Sequence, residues 1–354
     1  MRFPAAVLLA ATLAGCQADE TGQPAPVSAW IAQQSGTSAN LRGLSVVSDG
    51  VAWASGSDGT FVRTTDGGAT WQAGTVPGAT ERELRDVEAF DAGTALLLTA
   101  GEPAKIFKTT DGGQTWVEKY SNDTPGVFFN SMAFWDSEAA VAFSDPVEGS
   151  FLIIRTTNGG ETWEAVPPEN LPSPLPGEAG FAASGTMVAV QGEANAWMGT
   201  GGGTARVLRS TDRGRNWATA ATPMRSGIAS TGIFSLTFVD ALQGIAVGGD
   251  YRDPESREAN AALTVDGGRT WTPVQPNPPL GFRSCVAYVP GTKGRTLVSV
   301  GTSGSDVSFN GGKSWTALGE EGFHVVAFSP SGETAWAAGS DGRIAKLNKA
   351  LLIE

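Results

Sequence analysis

The chain has 354 residues, of which 41% are hydrophobic and 17% charged, with 47 glycines and a formal charge of −12. So much apolar material excludes a disordered chain, and so much glycine punctuates short strands rather than helices. The length allows two ordinary domains or one large all-β domain, and an acidic surface repels phosphate backbones, so nucleic acid is not expected as a partner.

The first sixteen residues, MRFPAAVLLAATLAGC, carry a basic Arg2, an apolar run from Ala5 to Leu13 and small residues before Cys16. The run is too short for a permanent span and reads as a signal peptide over 1–15. Leu13-Ala14-Gly15-Cys16 resembles the bacterial lipobox, which implies cleavage before Cys16 and its lipidation. Acyl chains would anchor the protein at ~0.8 kcal/mol per buried methylene. Residues 16–27 follow as a polar tether able to reach roughly 35 Å when extended. The expectation is a membrane-anchored protein facing the periplasm; a plain secretory signal, giving a soluble periplasmic or secreted protein, is the alternative. Gln17 stands where an Asp resembles an inner-membrane retention signal, which favours the outer membrane.

A short device then recurs: RTTDGGATW at 63–71, KTTDGGQTW at 108–116, RTTNGGETW at 155–163, RSTDRGRNW at 209–217, LTVDGGRTW at 263–271 and VSFNGGKSW at 307–315. Its acidic or amide position falls at Asp66, Asp111, Asn158, Asp212, Asp266 and Asn310, in steps of 45, 47, 54, 54 and 44 residues. That period fits one four-stranded propeller blade. Three alternating segments separated by turns precede each copy, as in LSVV, VAWAS and TFVRT before the first. A seventh unit from Phe323 has three strands and no box. SAWIAQQSG at 28–36 carries Trp30 as the boxes carry their Trp, and supplies the missing strand. The predicted fold is all-β, a single seven-bladed propeller over 28–348 whose N-terminal strand closes the last blade, with a tail at 349–354. The Asp or Asn is expected to accept backbone N–H groups two and three residues on, making the device a turn staple. Each box supplies at most one carboxylate, too few for a calcium loop, so no metal and no cofactor are expected. Cys285, in SCVAY, reads as an inert buried thiol.

The box S/T-x-D-x-G-x-x-W resembles the Asp-box, or BNR repeat, of sialidases and related propellers. With Gly56-Ser57-Asp58-Gly59-Thr60-Phe61 and Gly339-Ser340-Asp341-Gly342-Arg343-Ile344 placed before or after such boxes, the chain is similar to the photosystem II stability/assembly factor-like repeat family. That resemblance implies a role in building or stabilising a membrane complex, with the boxes on the face opposite the functional one.

The starts of the seven first strands meet at one mouth of the channel. Alignment places Arg42, Arg85, Asn130, Ala182, Phe234, Arg283 and His324 there. Three guanidiniums on an acidic body suit a carboxylate, a sulfate or an acidic peptide, held by a monomer. Long loops at 144–150, 167–180 and 248–260 are expected on the same side, with Arg252 a further binding candidate. The competing reading pairs the arginines with neighbouring carboxylates as structural bridges.

A sialidase-like or other glycoside hydrolase is the alternative function, with Asp145, Asp253 and Tyr251 as the catalytic candidates. No F-R-I-P-like segment occurs; Leu41-Arg42-Gly43-Leu44 is the nearest. GTGGGTAR at 199–206 superficially resembles a dinucleotide loop but precedes no helix. The reading favours an exported, lipid-anchored scaffold that binds a protein partner or acidic ligand and does not catalyse.

Overall fold

The computed structural model describes residues 28–352. The segments read as signal peptide and tether, with Cys16, lie outside the described residues, as do the last two of the expected tail.

Seven antiparallel sheets follow one another as blades. Blade 1 comprises Leu41–Val46, Ala52–Gly56, Thr60–Thr64 and Gln72–Thr75, and the order from axis to rim is the order of the chain. The innermost strands of blades 2 to 7 are Leu84–Ala89, Phe129–Phe134, Val188–Gln191, Thr231–Phe238, Cys285–Tyr288 and Val325–Phe328. Second strands such as Ala52–Gly56 and Ala95–Thr99 are buried along their whole length, because both faces of a blade pack on neighbours.

The rim strand of blade 7 is Trp30–Gln33, paired antiparallel with Ile344–Leu347 in the register Trp30↔Leu347 to Gln33↔Ile344. Trp30 is buried, donates its indole N–H to Ser305 Oγ at 2.9 Å, and lies 4.9 Å from the Phe323 ring. Gln33 Oε1 accepts from the indoles of both Trp71 and Trp336, each at 2.9 Å, and so joins blade 1 to blade 7.

Near the axis, side-chain acceptors link successive blades. Ser45 Oγ accepts from Ala89 N, Asp86 Oδ2 from Met132 N, Ser131 Oγ from Val188 N, Ser235 Oγ from Val286 N and Cys285 Sγ from Val326 N. Cys285 is thus a free, buried thiol whose pKa burial pushes up.

One sequence reading needs correction. The inner strand of blade 4 begins at Val188 rather than near Phe181, and residues 181–187 form a detour. GTGGGTAR holds a bridge between blades: Gly201–Gly202 pairs with Glu178–Ala179 on one side and with Gly232 on the other. A Cβ on Gly201 would sit 2.3 Å from the Phe181 ring and 2.7 Å from the Gly232 Cα, so the glycines are there for close backbone approach.

The boxes are turn staples, with a longer reach than expected. Asp66 Oδ1 accepts from Thr70 N, four residues on, at 2.9 Å, and Oδ2 accepts from Thr70 Oγ1 at 2.6 Å. In the boxes of Asp212 and Asp266 the amide three residues on also donates. Thr64 Oγ1 accepts from Gly68 N, which satisfies the glycine turn. Asn158 and Asn310 accept the same amide four residues on and donate to the following hydroxyl, so shape and not charge is what the turn needs. Each box sits at the strand-three end, beside the turn between first and second strands; Gly67 N, for example, donates to Gly50 O. Third-strand cations reach the next blade's box, as Lys108 Nζ does to Gly159 O at 2.8 Å and Arg155 Nε to Arg213 O at 2.6 Å.

A pH prediction follows for Asp266, whose carboxyl the Thr270 hydroxyl and amide hold at about 2, below its ordinary 3.8. A depressed acid stabilises the fold above its unfolded pKa and loses that contribution as pH falls through the folded value. Asp266→Asn keeps the amide bond but does not titrate. The gap in melting temperature between wild type and D266N therefore shrinks from pH 4 to pH 2 in calorimetric scans; a constant gap contradicts the assignment.

Candidate functional site

Antiparallel pairing puts the first-strand starts and the turns between second and third strands on one face, opposite the boxes. There Arg42, Arg85, Phe181, Ala182, Phe234 and His324 converge on a pocket of about 480 Å³. Phe128, Tyr251 and Phe282 complete an aromatic wall, with Ser284 and Thr302 at its polar edge. Phe181 stacks on Phe234 at 3.9 Å and Phe282 meets Phe234 edge-on at 4.7 Å.

The two arginines are fixed by backbone. Arg85 Nη1 donates to Ala182 O at 2.9 Å and Arg42 Nη1 to Ala183 O at 3.5 Å. Both carbonyls belong to the blade 4 detour, which therefore crosses the mouth beside the guanidiniums. Asp145 sets that detour in place: its Oδ1 accepts from Gly180 N at 2.7 Å and from Asn130 Nδ2 at 2.9 Å. Arg85 Nε lies 3.4 Å from the half-exposed Glu83, while Arg42 has no carboxylate contact among the described residues and its buried Nε lacks a hydrogen-bond partner. Burial and the neighbouring Arg85 lower the Arg42 pKa to about 10, still charged at neutral pH. Burial and the arginines push His324 down to about 3, so it is neutral and shares a hydrogen bond of 3.0 Å with Ser340 Oγ.

The other aligned positions behave differently. Arg283 is 2% exposed, lies beneath the mouth and donates Nε to Asp306 Oδ2 at 2.6 Å, with Nη1 on Phe282 O and Ser303 Oγ. It is a structural bridge and does not line the pocket. Asn130 is fully buried under Asp145. Among the loop candidates, Tyr251 is 44% exposed at the pocket edge and the Arg252 guanidinium stands 5.9 Å from its ring. Asp253 is exposed, 3.7 Å from Arg225. Asp145 is raised in pKa by burial and committed to its two donors.

Sequence reasoning placed Phe234 at the mouth but missed the aromatic wall it forms with Phe128, Phe181, Tyr251 and Phe282. It also missed Asp306, the one carboxylate in the strand Gly304–Ser308, which is buried along its whole length.

The chain matches the family profile described as "Photosynthesis system II assembly factor YCF48" over residues 22–173 and 75–218, together more than half of its length. No curated protein matches it in sequence. A solved structure titled "YCF48 bound to D1 peptide" superposes with a TM-score of 0.65 at 18% identity, covering 91% of this chain and 95% of that one. YCF48 from Cyanidioschyzon merolae gives 0.64 at 18%, covering 91% and 99%. A GH74 enzyme from Niastella koreensis gives 0.58 at 15%, covering 89% of this chain and 53% of that one, a likeness of fold.

Proposed function

The chain belongs to the family of the photosynthesis system II assembly factor YCF48, and on that premise we propose that it is a binding scaffold which holds a segment of a protein partner at its channel mouth during assembly of a membrane or envelope complex. The observation that carries this is the mouth itself. Two guanidiniums, fixed by carbonyls and incompletely neutralised, stand at the lip of an aromatic pocket large enough for one or two side chains. A carboxylate takes the forked donors of Arg42 and Arg85, and an apolar side chain next to it takes the wall of Phe181, Phe234 and Tyr251. That a solved relative holds a peptide supports the same use here.

The lipid anchor is part of the proposal and rests on Leu13-Ala14-Gly15-Cys16. Acylation at Cys16 would keep the body close to the membrane in which the complex is assembled, with the chain acting as a monomer. Metabolic labelling with a fatty acid, lost in Cys16→Ser, checks it.

The binding test is calorimetric titration with peptides carrying an acidic residue beside an aromatic or leucine. Arg42→Gln/Arg85→Gln is expected to weaken binding by at least about tenfold, since charge-assisted bonds contribute roughly 1.5–3 kcal/mol each, with an unchanged circular dichroism spectrum. Equal affinity in the double variant removes the mouth as the site. Arg283 is unsuitable for this test, because its loss strands Asp306 in the core.

A further inference from the structure

The face opposite the mouth carries an arginine whose bonding departs from the rule its counterparts in other blades obey. Third-strand cations sit across from second-strand tryptophans: Arg63 opposite Trp53, Arg209 opposite Trp197 and Lys346 opposite Trp336. In blade 1 the Arg63 guanidinium lies 5.2 Å from the indole centre and donates to Ala92 O at 2.6 Å. In blade 7 Lys346 lies 5.3 Å from its indole and donates to Gly67 O at 3.2 Å. Both cations thus stack on a ring and fasten to a turn carbonyl of the next blade.

Arg209 does neither. The carbonyl it would meet, Gly267 O, is taken by the Trp197 indole N–H at 2.9 Å. Trp197 stacks with Phe238 of blade 5, with ring centres 3.6 Å apart and planes within 8°. Arg209 Nε is buried with no hydrogen-bond partner, and no ion pair involves this side chain among the described residues. It lines a cavity of about 160 Å³ between blades 4 and 5, with Arg269 on the opposite blade and Thr211 and Asn195 beside it. The nearby carboxylates are spent. Asp266 is occupied by Thr264, Arg269 N and Thr270, and Asp240 by the amides of Leu242 and Gln243 and the Gln243 side chain. A buried guanidinium donor without an acceptor is costly, and an acceptor from outside relieves it.

We propose that this cavity binds a phosphate-type oxyanion between Arg209 and Arg269, on the Asp-box face and separate from the mouth. Arg209 on one blade and Arg269 on the next, the latter exposed with Nη1 on Asp266 O at 2.6 Å and its other N–H groups left to donate, line the one cavity, and the volume admits a tetrahedral anion but no nucleotide. Bound there, the anion takes the place of the carbonyl that Arg209 lacks and ties blade 4 to blade 5. The chemistry is shared by free phosphate and by the headgroup phosphate of an anionic lipid.

The experiment uses the full chain, with inorganic phosphate in one arm and phosphatidylglycerol vesicles in the other. Saturable phosphate binding by calorimetry, with a rising thermal midpoint, is expected for wild type. Arg209→Gln weakens it at least about tenfold, Arg269→Gln does so independently, and Arg42→Gln/Arg85→Gln leaves it unchanged, which separates this site from the mouth. If phosphate is silent but vesicles retain wild type and not R209Q, the lipid headgroup is the source. The proposal is overturned if neither probe's binding depends on Arg209 or Arg269, or if the mouth variant abolishes it.

Discussion

Deletion of residues 28–36 is expected to unfold the protein or leave it aggregating near ambient temperature. The segment contributes the rim strand of blade 7, and its loss exposes the edge of Ile344–Leu347 to pairing with other chains. Burial of Trp30 alone stabilises by roughly 2–3 kcal/mol on area. Gln33 Oε1 satisfies two indoles at once, and stranding them costs about 1–3 kcal/mol each. The sum, on the order of 5 kcal/mol or more, is comparable to the whole stability of many domains. The single variant Gln33→Leu isolates the bridge: it fits the same space, accepts nothing, and loses roughly 2–4 kcal/mol. Urea unfolding followed by tryptophan fluorescence measures both. A truncated chain that melts with wild type would mean that the ring closes without its velcro.

Glu88→Gln is expected to stabilise the protein at alkaline pH and to leave it unchanged near pH 5. Asp86 and Glu88 lie two apart on the inner strand of blade 2, and loss of water pushes both carboxyls up, Glu88 to about 8. Asp86 also carries the blade 2 to blade 3 link through Met132 N, so it is the member tied to structure. An acid whose folded pKa is raised binds more protons folded than unfolded. Stability is then greatest below the unfolded value, about 4.5, and falls as pH rises toward about 8. The loss is of the order of a few kcal/mol. The glutamine variant removes this titration and the repulsion on Asp86. Unfolding midpoints of wild type and E88Q therefore coincide at pH 5 and separate by pH 9, with E88Q higher. Parallel curves across that range would show that Glu88 is charged and solvated throughout.

The same two kinds of interaction explain what each candidate residue turned out to be. Arg42, Arg85 and Arg283 are indistinguishable in their sequence settings, each opening an apolar first strand. Arg283 meets Asp306 across blade 6, and its charge is spent in the core. Arg85 and Arg42 are held by carbonyls 97 and 141 residues away, on a detour that no periodicity announced. Asp145, offered by the sequence as a catalytic carboxylate, anchors that detour instead.

By itself the sequence determined the blades: their number, their order, their boxes and the strand that closes the ring. These are legible because the bonds behind them are local. A box closes on itself within four residues, and a strand shows its buried face by alternation. Only the tertiary structure decided which cations remain open to a ligand. A guanidinium is freed or satisfied by whatever acceptor a distant segment brings within about 3 Å, and that distance is set by how seven blades and one detour pack together, not by the residues on either side of the arginine.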